Sequence, residues 1–227
     1  MTLTPRENEK LIVRQTHPSG AGGVRVYKLD EREIAREYLD AELRVIKTSG
    51  HIPDGVAVEY QEDGTLFYEC RFENGLRQGP ARIYFDNGSL EIEKNYKDGL
   101  LDGRVQIFAE NGNLLEEVEY LRGKRHGVRR KFFPDGRQKE VCRYDNNRKH
   151  GLYRIYFDNG NLQSEMDFEH GQPVGMAQLY YRSGGLAWKI NYVHGEPDGA
   201  AIKYDESGRP CEEWLYSGGR VTEKRAV

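Results

Sequence analysis

Glycine recurs in this chain with a period that leaves few folds open. Gly55, Gly79, Gly103, Gly127, Gly151, Gly175 and Gly199 stand 24 residues apart. A second set follows nine residues behind: Gly64, Gly88, Gly112, Gly136, Gly160, Gly184 and Gly208. A third lies twenty behind, Gly75, Gly99, Gly123, Asn147, Gly171, Gly195 and Gly219. Its one exception is Asn, the non-glycine residue that best tolerates positive φ. The three sets hold 20 of the 26 glycines, so backbone geometry at turns sets the period.

Two aromatic sets repeat in phase. Tyr60, Tyr84, Phe108, Phe132, Tyr156, Tyr180 and Tyr204 form the first. Phe72, Tyr96, Tyr120, Tyr144, Phe168, Tyr192 and Tyr216 form the second. Both are aromatic in seven of seven units of a chain that is 11% aromatic, which chance does not produce. A partial leucine set (Leu66, Leu90, Leu114, Leu162, Leu186) and a partial glutamate set (Glu69, Glu93, Glu117, Glu165, Glu213) run alongside. Each unit reads as a hairpin. Ile83-Tyr84-Phe85 is a strand, and Asp86-Asn87-Gly88 fits a three-residue loop with glycine in the left-handed position. A second strand such as Leu114 to Tyr120 follows, then Gly-x-x-x-Gly, a wider turn into the next unit. Two short strands per unit make a meander of stacked hairpins rather than a helical solenoid. Seven units predict a mainly β fold, an elongated single-layer antiparallel β-meander of roughly 14 strands and about 65 Å at ~4.8 Å per strand.

The pattern Gly-x4-Tyr-x3-Gly-x-Leu-x2-Glu-x2-Tyr-x2-Gly-x3-Gly resembles the MORN repeat, and its bacterial variant more than the eukaryotic one. The usual unit has about one residue fewer and another glycine two after the first. Here that place holds Ala57, Ala81, Val105, Arg129, Tyr153, Ala177 and Ala201. The variant is similar to proteins of the bacterial YwqK-type antitoxin family. The resemblance covers 55 to about 222, and its matched residues are turn and packing positions, not a catalytic set. The units are expected to rest on Tyr84, Tyr96, Phe108, Tyr120, Phe132, Tyr144, Tyr156 and Phe168, with Gly88, Gly112, Gly136 and Gly160 at the loops.

Residues 1–54 lie outside the repeat and predict a small α+β cap. Leu11-Ile12-Val13 and Val24-Arg25-Val26-Tyr27 read as strands around a Pro/Gly-rich loop, His17 to Gly23. Asp30 to Ala41 reads as a helix, with Glu33 three after Asp30 and Ile34 four before Tyr38. Leu43-Arg44-Val45-Ile46 then leads into residues 55–222. Such an element protects an edge strand or forms a recognition module. Residues 223–227 are a tail in which Glu223 stands where the closing glycine would be.

Strand alternation assigns faces. A three-residue loop puts the first aromatic set and the leucine set on one face, joined by the second aromatic set. A two-residue loop reverses that parity. On the first choice, the other face carries the Glu set with Ile83, Phe85, Ile107, Phe133, Ile155, Phe157, Leu179 and Tyr181. This strip either packs beneath long Glu and Lys stems or binds a partner.

The chain is nearly balanced, with a net charge of −3, which argues against a general nucleic-acid binder. Locally it is not balanced. Arg122 to His150 holds eleven bases against three acids, and Asp86 to Glu119 nine acids against three bases. The basic block is either a solvated surface attracted to its acidic neighbour or a docking patch, first of all for an acidic protein surface. Arg125, Arg129, Arg130 and Lys131, with Phe133, Phe157 and Tyr181, are the candidate partner-binding residues.

Catalytic spacing is lacking. There is no P-loop, Gly-x-Ser-x-Gly or His-Glu-x-x-His motif. His126 and His150 share a repeat position, as do His170 and His194, so each pair lies about 10 Å apart, too far for one metal ion. Cys70 and Cys142 are three units apart and cannot pair, so with three cysteines a reducing compartment is expected. No apolar run approaches the ~18 residues of a membrane helix, and Met1 to Lys10 has no apolar signal segment behind it. The expectation is a non-catalytic cytoplasmic interaction protein without cofactor or metal. The resemblance implies an antitoxin or immunity protein that occludes a toxin, effector or complex subunit. The alternative is a scaffold that self-associates or binds an anionic membrane surface.

Overall fold

The computed structural model describes residues 11–16, as backbone, together with 23–39 and 45–227. The chain forms two compact units, residues 1–112 and 113–227. Every described regular element is a β-strand.

In the first unit, β1 (Leu11–Thr16), β2 (Gly23–Leu29), β3 (Arg32–Leu39) and β4 (Val45–Gly50) precede the repeats. They are followed by β5 (Gly55–Tyr60), β6 (Leu66–Glu73), β7 (Leu76–Tyr84), β8 (Leu90–Lys97) and β9 (Leu100–Phe108). The expected helix is instead strand β3, so the cap is all β. Asp30 and Glu31 take φ of 48° and 60°, forming the two-residue turn of a β2–β3 hairpin. The Ile34/Tyr38 spacing of four is even, so it places both residues on one face of a strand as well as of a helix. Ala35, Glu37 and Leu39 alternate inward from that strand. Residues 1–10, 17–22 and 40–44 lie outside the described residues, and with them the expectations for His17 to Gly22 and for Leu43-Arg44.

β1 pairs antiparallel with β2 and parallel with β5, which joins the N-terminal strands to the repeats in one sheet. This sheet curls strongly. β2 and β6 are three strand steps apart, about 14 Å in a flat sheet. Yet the rings of Tyr27 and Phe72 meet at 5.6 Å, edge to face. The core of this unit is what the curl encloses: Tyr27, Ala35, Ile52, Ala57, Tyr68, Cys70, Phe72 and Ala81.

The second unit contains β10 (Leu114–Leu121), β11 (Lys124–Phe132), β12 (Gln138–Asp145), β13 (Arg148–Tyr156) and β14 (Leu162–Glu169). It continues with β15 (Gln172–Tyr180), β16 (Leu186–Val193), β17 (Glu196–Pro197), β18 (Gly199–Tyr204), β19 (Pro210–Ser217) and β20 (Arg220–Ala226). Neighbours along the chain pair antiparallel throughout, the short β17 and β18 both pairing with β16. β20 therefore carries extended pairing through Glu223, Lys224 and Arg225.

The expected three-residue loop is present. Phe85 N–H donates to Ser89 O at 2.8 Å, and Gly88, at φ 79°, donates to Phe85 O at 2.9 Å. The second junction is tighter than expected. Asn74 and Gly75 take φ of 52° and 73°, a two-residue turn with both centres left-handed. Gly79 lies beyond that turn, in a bulge of β7. Between Cys70↔Ala81 and Phe72↔Arg77, β7 carries two more residues than β6. Side chains at one repeat position help satisfy the bulge backbone: Asn95 Nδ2 donates to Arg104 O at 3.0 Å, and Glu119 accepts from Val128 N–H at 2.8 Å.

A further bulge corrects the face assignment. Tyr84 stands opposite Leu90, as the loop length requires, but Ile83 stands opposite Ile92, not Glu91. The same one-residue shift follows the loop after Tyr60, Phe132, Tyr156, Tyr180 and Tyr204. It reverses parity on the second strand, so the two aromatic sets lie on opposite faces. The second set shares its face with Ala57, Ala81, Ala177 and Ala201, all nearly inaccessible. Ile83 and Ile155 belong there too. The first set shares its face with the glutamates: Tyr84 Oη donates to Glu69 at 2.8 Å and Tyr180 Oη to Glu165 at 3.2 Å.

Candidate interaction face

The face bearing the second aromatic set concentrates the chemistry. At one repeat position it carries Arg77, Arg125 and Lys149, each leaning over the next unit's aromatic residue. The Arg77 guanidinium is 5.7 Å from the Tyr96 ring centre, that of Arg125 4.5 Å from Tyr144, and Lys149 Nζ 5.0 Å from Phe168. Lys149 also lies 3.8 Å from the centre of Tyr153, which meets Phe168 edge to face. Strand pairing places these residues directly: Phe72↔Arg77, Tyr120↔Arg125 and Tyr144↔Lys149 are opposite neighbours.

In the first unit this face is covered. The Glu37 carboxylate, delivered by β3, binds Arg77, accepts from Tyr27 Oη at 2.8 Å and from Arg25 at 2.9 Å. Burial works against the Glu37 charge. The Arg77 and Arg25 guanidinium groups and the Tyr27 hydroxyl outweigh it and hold the carboxyl below its usual range. Burial pushes the Tyr27 hydroxyl far up, so it stays a donor.

In the second unit the cations are treated in two ways. Mid-strand, Arg129 is held at 2.7 Å by both Glu116 and Glu140, Arg130 by Glu117 at 3.0 Å, and Lys131 lies 3.7 Å from Glu116. Burial opposes the Arg129 charge, but the two carboxylates keep the guanidinium firmly protonated. Burial, with Glu140 nearby, pushes Tyr153 up to about 12. Closer to the two-residue turns, Arg125 and Lys149 rest on rings with no carboxylate in ion-pair range. Lys124, Asp145, Asn146, Arg148, Lys149, His150 and His170 line a half-open cavity of about 330 Å³ at that edge. Among the described residues no cluster has the make-up of a metal site.

The candidate residues do not converge on one patch. Arg129 and Lys131 share the second-set face, while Arg130 points to the other. Phe133, Phe157 and Tyr181 occupy one repeat position at the entry to the three-residue loops. Lys139 lies over Phe133 at 5.5 Å, Arg182 over Phe157 at 5.9 Å, and Tyr181 Oη donates to Tyr204 O at 2.6 Å. Arg125 stands at the opposite end of β11 from Phe133. Sequence reasoning missed Arg77 and Lys149, although their 24-residue phase with Arg125 was a readable signal.

It also missed the two tryptophans. Trp188 and Trp214 meet edge to face at 4.9 Å on this face, with Lys203 5.8 Å from Trp188 and Lys224 3.7 Å from Trp214. Glu223 stands at the place of the bulge glycine, and the register there differs. Between Trp214↔Lys224 and Tyr216↔Val221 the bulge is one residue shorter than in β7, which turns Lys224 onto the aromatic face. Glu212 binds Lys203 at 2.6 Å and accepts from Trp214 Nε1 at 2.8 Å.

In comparison with known families, the MORN repeat variant matches residues 53–74, 77–98, 101–121 and 149–170. Comparison with curated proteins gives no match.

Proposed function

From a chain that carries MORN repeats, modules generally of protein or membrane interaction, we propose a non-catalytic cytoplasmic protein that binds and occludes a protein partner, as an antitoxin or immunity protein does. The observation that carries this reading is the pair Arg125 and Lys149. Both cations rest on aromatic rings and lack the carboxylate that their counterpart Arg77 has. A cation over a ring is an anchor of the kind that interface hot spots use. An acidic partner surface supplies the absent charge. Arg129, Arg130 and Lys131 contribute to the local field, but their carboxylate partners already hold them in the sheet.

The test is affinity capture from native lysate with the full chain and its R125Q/K149Q variant, read by mass spectrometry with stoichiometry. One protein retained by the wild type and lost by the folded variant is the expected result. Equal retention by both removes the assignment. A scaffold on anionic membranes is the second reading, favoured by Lys124, Arg148 and Lys149 around the turn-edge cavity. It requires salt-sensitive binding to phosphatidylserine vesicles, which the first reading does not.

A further inference from the structure

The first unit contains an example of what a cation of this ladder binds, and it specifies the partner chemistry of the second. This step rests on the interaction reading above. In the first unit the occupant is a β-hairpin, β2–β3. It contributes two groups to the Arg77 position. The Tyr27 ring packs edge-on against Phe72 at 5.6 Å, and its hydroxyl lies 3.3 Å from the Arg77 guanidinium. The Glu37 carboxylate closes the same guanidinium. The occupied place is dry, since Tyr27 and Phe72 are 0% and 1% exposed.

The second unit repeats the receiving half of this arrangement. Arg125 and Lys149 hold the same repeat position and the same lean onto the next ring. Both are without a carboxylate, and Lys224 over Trp214 adds a third such cation on that face. The polar contacts on this face run between neighbouring strands, as from Arg129 to Glu116 and Glu140. We propose that this face of residues 113–227 is the seat for a β-hairpin of a partner protein that presents a tyrosine and a carboxylate, as β2–β3 does with Tyr27 and Glu37. The tyrosine packs edge-on against Tyr120, the half-buried counterpart of Phe72, and the carboxylate closes on Arg125 or Lys149. These two cations lie two strands apart, roughly 10 Å, a span that one hairpin covers. Charge complementarity selects a hairpin with a carboxylate at that place, because one without it leaves desolvated cations unpaired.

The experiment uses the full chain, whose own seat in the first unit is already filled. The probe is a cyclised, fluorescent peptide with the sequence of residues 23–39, cyclised because a lone hairpin is marginally stable. Binding is followed by anisotropy, and by emission of Trp188 and Trp214. The expected result is one peptide per chain, at least tenfold weaker binding for an E37Q peptide, and a similar loss for the R125Q/K149Q chain with R125K/K149R restoring it. Unchanged thermal unfolding verifies that the variant is folded. No binding, or binding indifferent to either change, overturns the proposal; indifference to R125Q/K149Q alone points to exchange with β2–β3 in the first unit. Self-association of the full chain that R125Q/K149Q abolishes overturns it in favour of a second copy. If the variant loses its captured lysate partner while the peptide fails to bind, the interaction reading stands and the hairpin chemistry falls.

Discussion

Arg77 and Arg125 hold the same place in their repeats, yet the protein uses them differently. Arg77 is closed in by Glu37 and Tyr27, nine-tenths or more of its surface removed from water. Arg125 lies over Tyr144 as a half-buried cation. The repeat supplies the ring and the cation in both units. The hairpin β2–β3 supplies the cover in one. A repeated scaffold can therefore carry a structural ion pair and an interaction anchor at equivalent positions, the difference resting on residues outside the repeat.

The largest expected effect is on that pairing. Arg77→Gln leaves the buried Glu37 short of its main partner and should cost about 3–5 kcal/mol. Arg125→Gln, losing a half-buried cation–ring contact with no carboxylate left behind, should cost about 1 kcal/mol. Chemical denaturation of both variants measures the gap, and equal costs would break the comparison. A smaller effect is expected with acid. Because the folded Glu37 carboxyl lies below the ordinary glutamate value of 4.5, its contribution is complete above that pH and is lost as pH falls through the lower folded value. Hydrogen exchange in β2–β3 should quicken over that window, and Glu37→Gln should abolish the dependence. The smallest effect concerns the last strand. Glu223→Gly restores the bulge glycine and should withdraw Lys224 from Trp214. Tryptophan emission reads this directly, with a stability change within about 1 kcal/mol; unaltered emission would show that the glycine does not set the bulge length.

The hairpin period was fully legible, because turns with positive φ restrict residue type at Gly88, Gly75 and Asn147. The face assignment was not. The bulge after each three-residue loop falls at Phe67, Glu91, Lys139, Gln163, Ala187 and Cys211, which share no chemistry. A backbone irregularity that makes no demand on a side chain leaves no mark in one sequence. The helix reading failed for a related reason, since Ile34 and Tyr38 satisfy either period. The alternation of Ala35, Glu37 and Leu39 was the better guide, but Glu37 conceals it by being a buried charge. The site was half legible: Arg125 stood out in the basic block, whereas Lys149 acquires meaning only in phase with Arg77. Arg129, Arg130 and Lys131 stood out equally, and their carboxylate partners lie on neighbouring strands that charge counting does not pair.

The parallel pairing of β1 with β5 also bears on the order in which the chain organises. Hairpin contacts in the repeats join residues within about one unit, so they close small loops. Leu11 must find Ala57, and Glu37 must find Arg77 across 40 residues. Loop-closure entropy slows such distant encounters. Local zipping of the repeats is therefore expected to precede docking of the N-terminal hairpin, with the Glu37–Arg77 contact sealing late.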